Sequence, residues 1–218
     1  IMESENIVSF LDFKLAKPII RALNANNLVT PTKIQKETIP KILEGKDVCA
    51  TAITGSGKSL AFLLPVVHKL INYRGLPGPK ALIMSPTREL AQQLKTVCDM
   101  ISANCHVSST LVIGGVSDEE QRQLLTPAPD IIIGTPGRFI DALFNAKVLD
   151  LTHTQFLILD EADRLLGKGF EKQLHTILSQ LPEKHQTLLF TATMSTQVAK
   201  LAQKIQKSSE KININPYM

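Results

Sequence analysis

The alternation of short apolar runs with helix-like segments is the feature that most limits the fold of this 218-residue sequence. The runs are nearly continuous in apolar residues, which is typical of strands that are buried on both faces. Strand, helix and strand in repeated order predict an α/β fold, with a mostly parallel sheet flanked by helices. The predicted strands are 47–53, 81–85, 109–113, 130–134, 156–160, 187–191 and 211–214.

The segments between these runs have helical character. Residues 87–101 and 195–207 each place apolar residues on one face at helical spacing. The first 46 residues contain no clear strand and are predicted to form a helical preface to the core at 47–218, within one domain. Folds of this kind bind ligands at the carboxyl ends of their strands, so we expect the chemistry just after each strand.

Composition excludes several classes of protein. With 44% hydrophobic and 20% charged residues, the chain has the composition of an ordinary globular protein. Its three irregularly spaced cysteines argue against a disulfide framework and for a reducing, intracellular compartment, and no Cys/His spacing suits zinc. No apolar run approaches the roughly 20 residues of a membrane helix, so we expect no membrane partner. The net charge of +4 fits a polyanionic partner and a neutral surface equally well.

A glycine-rich segment follows the first predicted strand. Residues 52–59 read AITGSGKS, and residues 60–72 after them are compatible with a helix. Glycines at 55 and 57 let successive N–H groups turn toward one anion, while the positive end of the next helix faces it. Lys58 can reach the β- and γ-phosphates of a nucleotide, and the hydroxyl of Ser59 can bind Mg²⁺. This segment, called the phosphate loop below, predicts an ATP site; a glycine-rich turn without a ligand is the alternative.

Three acids stand within four residues at the end of the strand predicted at 156–160. Carboxylates bunched in this way are costly unless a cation compensates their charge. In a nucleotide site, Asp160 would hold Mg²⁺ and Glu161 would orient or deprotonate the attacking water. A solvated acidic turn is the alternative, and the phosphate loop elsewhere in the chain disfavours it.

Residues 160–163 spell Asp-Glu-Ala-Asp, and from residue 8 to residue 216 the sequence resembles the DEAD-box RNA helicases. Further segments match that family's motifs in family order: 31–35 the Gln motif, 86–91 motif Ia, 114–115 and 135–138 the next RNA-contacting motifs, and 191–193 motif III. The resemblance implies the first RecA-like P-loop domain of an ATP-dependent RNA helicase. Such an enzyme couples ATP hydrolysis to local RNA duplex unwinding or RNP remodelling.

The resemblance also implies roles at the nucleotide. Gln35 would read adenine through a two-point contact, with Thr32 beside it, and Phe10, 25 residues before Gln35, would pack against the base. A core anchor for the first helix is the alternative for Phe10. The phosphates and Mg²⁺ would be bound by Thr54, Gly55, Ser56, Gly57, Lys58 and Ser59, with Lys58, Asp160 and Glu161 as catalytic residues and Ser59 and Asp160 at the metal.

RNA would be held by its backbone, independently of base sequence. For Thr87 and Thr135 helix capping is an alternative that uses the same geometry. Asp163, Thr191 and Thr193 would couple nucleotide state to the position of a second RecA-like domain. The implied RNA contacts are Pro86, Thr87, Arg88, Gly115, Thr135, Gly137 and Arg138.

The sequence departs from the family pattern in places. Motif III begins with Thr191 where serine is usual, and the phosphate loop ends in Ser59 where threonine is commoner, so each hydroxyl is kept. Asn27-Leu28 stands where a Gly-aromatic pair is frequent. No His-Arg-x-Gly-Arg element follows Thr193, so the second RecA-like domain and its arginines are absent from these 218 residues. We therefore expect a monomer with weak nucleotide binding and near-background hydrolysis.

Two other functions stay open at this point. A non-enzymatic, ATP-gated RNA clamp or scaffold is disfavoured by the intact acids at 160 and 161. A DNA helicase or another P-loop ATPase is disfavoured by the Gln motif together with the Asp-Glu-Ala-Asp sequence at 160–163. The sequence around Arg164-Leu165-Leu166 resembles that of nucleolar family members that assemble the large ribosomal subunit. This resemblance predicts a nuclear or nucleolar location, and otherwise a cytoplasmic one.

Overall fold

The structure, a computed structural model, describes residues 3–73 and 76–214. These residues build one seven-stranded sheet in the order β3-β4-β2-β5-β6-β1-β7, in which every pairing is parallel. Each strand falls on a predicted apolar run, so the predicted α/β fold is confirmed. The strands are β1 Val48–Thr51, β2 Ala81–Met84, β3 Ser109–Val112, β4 Ile131–Gly134, β5 Phe156–Leu159, β6 Gln186–Thr191 and β7 Glu210–Asn213.

Helices cover both faces of this sheet, and short helical turns join them. Residues Ser4–Asn6 and Phe10–Phe13 form 3₁₀ turns, and Asp141–Asn145 form a π-helical turn. The α-helices of the described residues are α1 Lys17–Ala25, α2 Lys33–Leu43, α3 Lys58–Leu70, α4 Arg88–Ser102, α5 Asp118–Leu125, α6 Pro136–Ile140, α7 Ala162–Gly167, α8 Glu171–Leu178 and α9 Thr196–Ile205. The helices predicted at 87–101 and 195–207 correspond to α4 and α9.

Two hydrophobic cores explain why the strands read as continuous apolar runs. Successive side chains of a strand point to opposite faces, and both faces here are covered. In β5, Phe156 and Ile158 join the core beneath α1 to α4, whereas Leu157 and Leu159 join the core beneath α6 to α9. The edge strand β7 has one partner and exposes Lys211 and Asn213 in alternation, as a half-covered strand does.

The helical preface packs on the first of these cores. Ile19 and Leu23 of α1 and Ile34 and Ile39 of α2 are buried in the same cluster as Phe62 of α3. This packing supports placing the preface and the sheet in one domain; residues 215–218, assigned to the core, lie outside the described residues. No helix in the described part of the chain has the length and apolarity needed to cross a membrane.

Candidate nucleotide and RNA site

The parallel sheet brings the predicted site segments to one edge. Because all strands run in the same direction, their carboxyl ends meet there. The predicted nucleotide segments follow β1, β5 and β6, which are neighbours in the sheet, and the predicted RNA segments follow β2, β3 and β4, which are neighbours on its other side. The strand order therefore divides this edge into two adjoining halves.

The phosphate loop has the backbone that an anion cradle needs. Gly55 and Gly57 both have φ of +87°, a region that side chains with a Cβ rarely adopt. A Cβ at Gly57 would lie 2.6 Å from Nε2 of Gln35 and 2.8 Å from Oγ1 of Thr32, so only glycine fits there. The loop leads directly into α3, which begins at Lys58, and thus presents a helix amino terminus.

The lysine of this loop meets the acids that follow β5. Lys58 Nζ lies 3.0 Å from Oδ1 of Asp160 and 3.6 Å from Oε1 of Glu161. The three side chains are only 9%, 4% and 7% exposed. The segments predicted to form one site, separated by about a hundred residues of chain, are therefore in contact.

The buried charges in this cluster do not balance. Two carboxylates share one buried ammonium, and Arg164 adds a partly exposed guanidinium 3.3 Å from Oε2 of Glu161. Burial raises the pKa of Asp160, while the nearby charge of Lys58 acts in the opposite direction. A further cation at Asp160 would compensate its buried charge.

Glu161 has a strained backbone. Its φ of +52° and ψ of +54° place it in the left-handed region, which a residue with a side chain rarely occupies. It stands at the amino end of α7, and its N–H donates to Oδ1 of Asp160 at 3.0 Å. Strain of this kind costs about 1–3 kcal/mol and clusters at functional sites. The strained turn directs both acids toward Lys58.

A cleft opens beside these groups, and its lining fits a phosphate chain with a metal ion. It has a volume of 360 Å³ and is lined by the phosphate loop, by Gln93 of α4 and by Asp160 and Glu161. The Oγ of Ser56 is buried without a hydrogen-bond partner among the described residues, as is Nζ of Lys58 despite its ion pairs. Among the residues that the structure describes, no group of three His, Cys, Asp or Glu side chains could hold a metal ion. The predicted Mg²⁺ ligands, Asp160 and Ser59, both line this cleft, and their role at a metal stays a prediction.

Gln35 is held at the end of the phosphate loop. Its Oε1 accepts from the N–H of Thr32 at 2.8 Å, and its Nε2 donates to the carbonyl oxygen of Gly57 at 2.9 Å. An amide side chain has a second lone pair and a second N–H, so one acceptor and one donor remain for adenine. The role of Gln35 as adenine reader stays a prediction that this geometry permits.

Phe10 is buried, whereas a ring that stacks on a nucleotide base would be exposed. It is 3% exposed in the first core, with its ring centroid 6.1 Å from that of Phe13. This position favours the alternative of a core anchor; contact with adenine stays a prediction. Within the phosphate loop, Ile53 is 56% exposed and lines a 360 Å³ cleft with Thr32 and Thr54.

The two threonines predicted to contact RNA differ in their capping. Oγ1 of Thr87 accepts from the N–H of Leu90 at 3.2 Å and so caps α4. Thr135 occupies the same position before α6, yet its side chain makes no capping hydrogen bond. Capping therefore accounts for Thr87 and leaves Thr135 without that explanation.

The other predicted RNA residues are mostly accessible at the same edge. Arg88 is exposed, Pro86 is buried, and a Cβ at Gly115 or Gly137 would meet nothing within 4 Å. Arg138 is fixed from two sides, because its guanidinium pairs with Asp141 at 2.7 Å and packs close to Gly114. A backbone could approach closely at both glycines.

Hydrogen bonds join the last acid of the 160–163 segment to the end of β6. Thr193 Oγ1 donates to Oδ2 of Asp163 at 2.9 Å, and the N–H of Asp163 donates to Oγ1 of Thr191 at 3.3 Å. Thr191 Oγ1 donates in turn to the carbonyl oxygen of Thr193 at 2.8 Å. The three predicted coupling residues thus form one network, and their coupling role stays a prediction.

Comparison with known proteins decides the family. The family model described as DEAD/DEAH box helicase matches residues 32–201, which is most of the chain. The chain belongs to the DEAD/DEAH box helicase family.

Relatives of this DEAD-box chain are longer than the chain itself. It is 44% identical over 194 residues to the ATP-dependent RNA helicase drs1 of Neosartorya fischeri, covering 88% of this chain and 24% of that protein. It is 42% identical over 212 residues to the probable ATP-dependent RNA helicase DDX27 of Homo sapiens, covering 97% of this chain and 28% of that protein. The chain thus spans about a quarter of the length of the curated relatives that it matches.

A solved structure agrees with the DEAD-box fold. The crystal structure of a DEAD box protein from the hyperthermophile Methanococcus jannaschii superposes with a TM-score of 0.88 at 34% sequence identity. The match covers 95% of this chain and 56% of that one. The predicted RecA-like fold class is thereby confirmed for this DEAD-box chain.

The DEAD-box site also contains residues that sequence reasoning missed. Arg164 pairs with Glu161, and Asp141 pairs with Arg138 while accepting a hydrogen bond from Asn145 at 3.0 Å. Both partners stand three residues from the side chain that they hold, a helical spacing at which opposite charges meet. This spacing was the signal available in the sequence. For Arg164 it was harder to use, because Glu161 stands before α7 and has left-handed backbone angles.

Proposed function

We propose that this chain is the ATP-binding domain of an ATP-dependent RNA helicase, which couples ATP hydrolysis to RNA unwinding or RNP remodelling. The observation that carries the proposal is the meeting of Lys58 with Asp160 and Glu161 beneath a glycine-rich loop. The names of the relatives, which are ATP-dependent RNA helicases, support it. The non-enzymatic clamp gains no support, because both acids are present and directed at the phosphate loop.

Each residue has a task that its position suits. Lys58 and the N–H groups of the loop bind the triphosphate, and Gln35 reads the base. Ser59 and Asp160 would hold Mg²⁺, which supplies charge neutralisation when bound. Glu161 orients a water molecule and accepts its proton as that water attacks the terminal phosphorus, whose bond to the bridging oxygen breaks so that ADP leaves.

RNA binds along the half of the edge formed by β2, β3 and β4. Threonine hydroxyls, open glycines and Arg138 contact phosphates and sugars without reading bases, which favours binding that is independent of sequence. Asp163, Thr191 and Thr193 then connect the nucleotide to a second RecA-like domain supplied by a longer chain. Arginines from such a domain can contribute several orders of magnitude in rate. We also propose that the protein functions in ribosome assembly, in the nucleolus.

The proposal predicts which nucleic acid stimulates hydrolysis. The 218-residue chain alone is expected to hydrolyse ATP at near-background rate, with or without RNA, because it lacks those arginines. The full-length protein should be stimulated by single-stranded RNA and far less by DNA of the same sequence. Phosphate release, measured for both proteins with both nucleic acids, distinguishes the outcomes. Full RNA-stimulated turnover by the 218 residues alone, or equal stimulation by DNA, would overturn the proposal.

A further inference from the structure

A large cavity lies at the edge of the sheet opposite to the nucleotide site. Its volume is 590 Å³, which is within the range of small-molecule sites. It is bounded by the carboxyl end of α3 and by the amino ends of β5 and β6. We call it the amino-edge cavity, and the lining residues that matter here are Lys69, Leu70, Tyr73, Gln155, Phe156 and Lys184.

The charged side chains described around the amino-edge cavity are all positive. Among the residues that the structure describes, two lysines line it and no acid does. Neither Lys69 nor Lys184 is in an ion pair within residues 3–73 and 76–214. Lys69 is half-buried, with its ammonium 5.8 Å from the ring centroid of Phe156, and burial lowers its pKa. An uncompensated cation in such a place is costly, and an anion would relieve that cost.

The hydrogen-bonding groups also suit an anion. Nε2 of Gln155 donates to the hydroxyl oxygen of Tyr73 at 3.0 Å, so the hydroxyl proton remains to be donated. Nδ1 of His185 lies 2.7 Å from the carbonyl oxygen of Pro182 and therefore carries the proton there. Its Nε2 then carries only a lone pair and is buried without a partner among the described residues, so it would accept a hydrogen bond from an uncharged donor group of the ligand and not contact its anionic group.

The size and the walls of the cavity indicate what carries the negative charge. A volume of 590 Å³ is far larger than a bare inorganic anion needs. Leu70 and Phe156 supply an apolar wall beside the two lysines. No residue is shared with the cleft at the phosphate loop, so the two sites can be occupied together.

We propose that the amino-edge cavity binds a small organic anion, whose carboxylate or phosphate pairs with Lys69, Lys184 and the hydroxyl of Tyr73. The apolar part of the ligand packs against Leu70 and Phe156. This site is independent of the proposed helicase activity, because it stands on its own lining residues.

Benzoate and phenyl phosphate are suitable probes, with neutral benzamide as the matched control. Titrated into the ¹⁵N-labelled chain, both anions should shift the amide signals of Lys69, Tyr73, Gln155 and Phe156. The double variant Lys69→Gln/Lys184→Gln should bind them at least about tenfold more weakly, since it loses two charged hydrogen-bond donors. Lys69→Arg should retain binding, and Lys200→Gln, an exposed lysine outside the cavity, should leave it unchanged.

Four results would overturn the proposal. Benzamide that binds as tightly as benzoate would remove charge as the basis of binding. An unchanged dissociation constant in the double variant, with its fold intact by NMR, would remove the lysines. Shifts that disappear in Lys58→Ala with its fold intact by NMR, for either anion, would place the probe at the phosphate loop, whereas shifts that persist in that variant support a separate site. An RNA oligonucleotide that displaces benzoate from the same amides would make the cavity an RNA contact instead.

Discussion

Replacing Glu161 by glutamine is expected to lower RNA-stimulated ATP hydrolysis by the full-length protein about 100- to 10,000-fold, the range for loss of a general base. Glutamine keeps the size of the side chain and its bond to Arg164 but cannot accept a proton from water. ATP affinity should change little, because Glu161 lies beside the lysine without belonging to the phosphate loop. Steady-state phosphate release, with nucleotide binding measured separately, gives both numbers.

Glu183→Gln is the matched control for this experiment. Glu183 is exposed and remote from the cleft, and the same loss of one negative charge there should leave turnover unchanged. Undiminished hydrolysis in Glu161→Gln would argue against a catalytic role and would revive the clamp. Equal losses in both variants would point to a general effect of charge.

Replacing Lys58 by alanine is expected to weaken ATP binding by the 218-residue chain by about 100-fold, or about 2.7 kcal/mol. The side chain supplies the ammonium nearest to the loop's anion site, and no other described lysine contacts Asp160 or Glu161. Fluorescence titration with an ATP analogue measures the change. Lys200→Ala, which removes an exposed lysine from α9, should bind as the parent chain does.

Lys58→Ala also has an expected effect on stability. It leaves two buried carboxylates with only the partly exposed Arg164 nearby, and breaking a buried pair costs about 3–5 kcal/mol. Urea denaturation should therefore accompany the titration. If Lys58→Ala stays folded and binds ATP with undiminished affinity, the loop is not a phosphate site.

The strands were predictable because their chemistry is local. In β4, Ile131, Ile132 and Ile133 fill both faces, so burial on two sides is written directly into consecutive residues. β7 was harder to predict, because Glu210 and Lys211 are charged residues on an edge strand that water reaches. Its position beside β1 depends on pairing between distant segments, which no local pattern reveals.

The nucleotide half of the site was also predictable, because spacing and residue type specify it. A strand, two glycines, a lysine and a helix favour an anion cradle, and acids that follow another strand of the same parallel sheet lie at the same edge. The position of Phe10 was not determined in this way. An aromatic side chain suits a core and a base equally well, and only the packing against Phe13 distinguishes them.

The amino-edge cavity illustrates what the sequence conceals. Lys69 and Tyr73 lie far along the chain from Gln155 and from Lys184, and each by itself is an ordinary polar residue. The ion pair of Arg164 with Glu161 was missed for a different reason. It depends on the left-handed backbone of Glu161, which regular helical geometry does not predict.

The magnesium dependence of ATP affinity, compared between the parent chain and Asp160→Asn, most directly tests whether the phosphate loop and the acids serve one pocket. The parent chain should bind ATP about tenfold more tightly with Mg²⁺ than without it, since a cation held by Asp160 would compensate the charges of the carboxylate and the phosphates. In Asp160→Asn that enhancement should vanish, while affinity without metal is kept by Lys58 and the loop. An enhancement of the same size in Asp160→Asn would contradict a shared pocket.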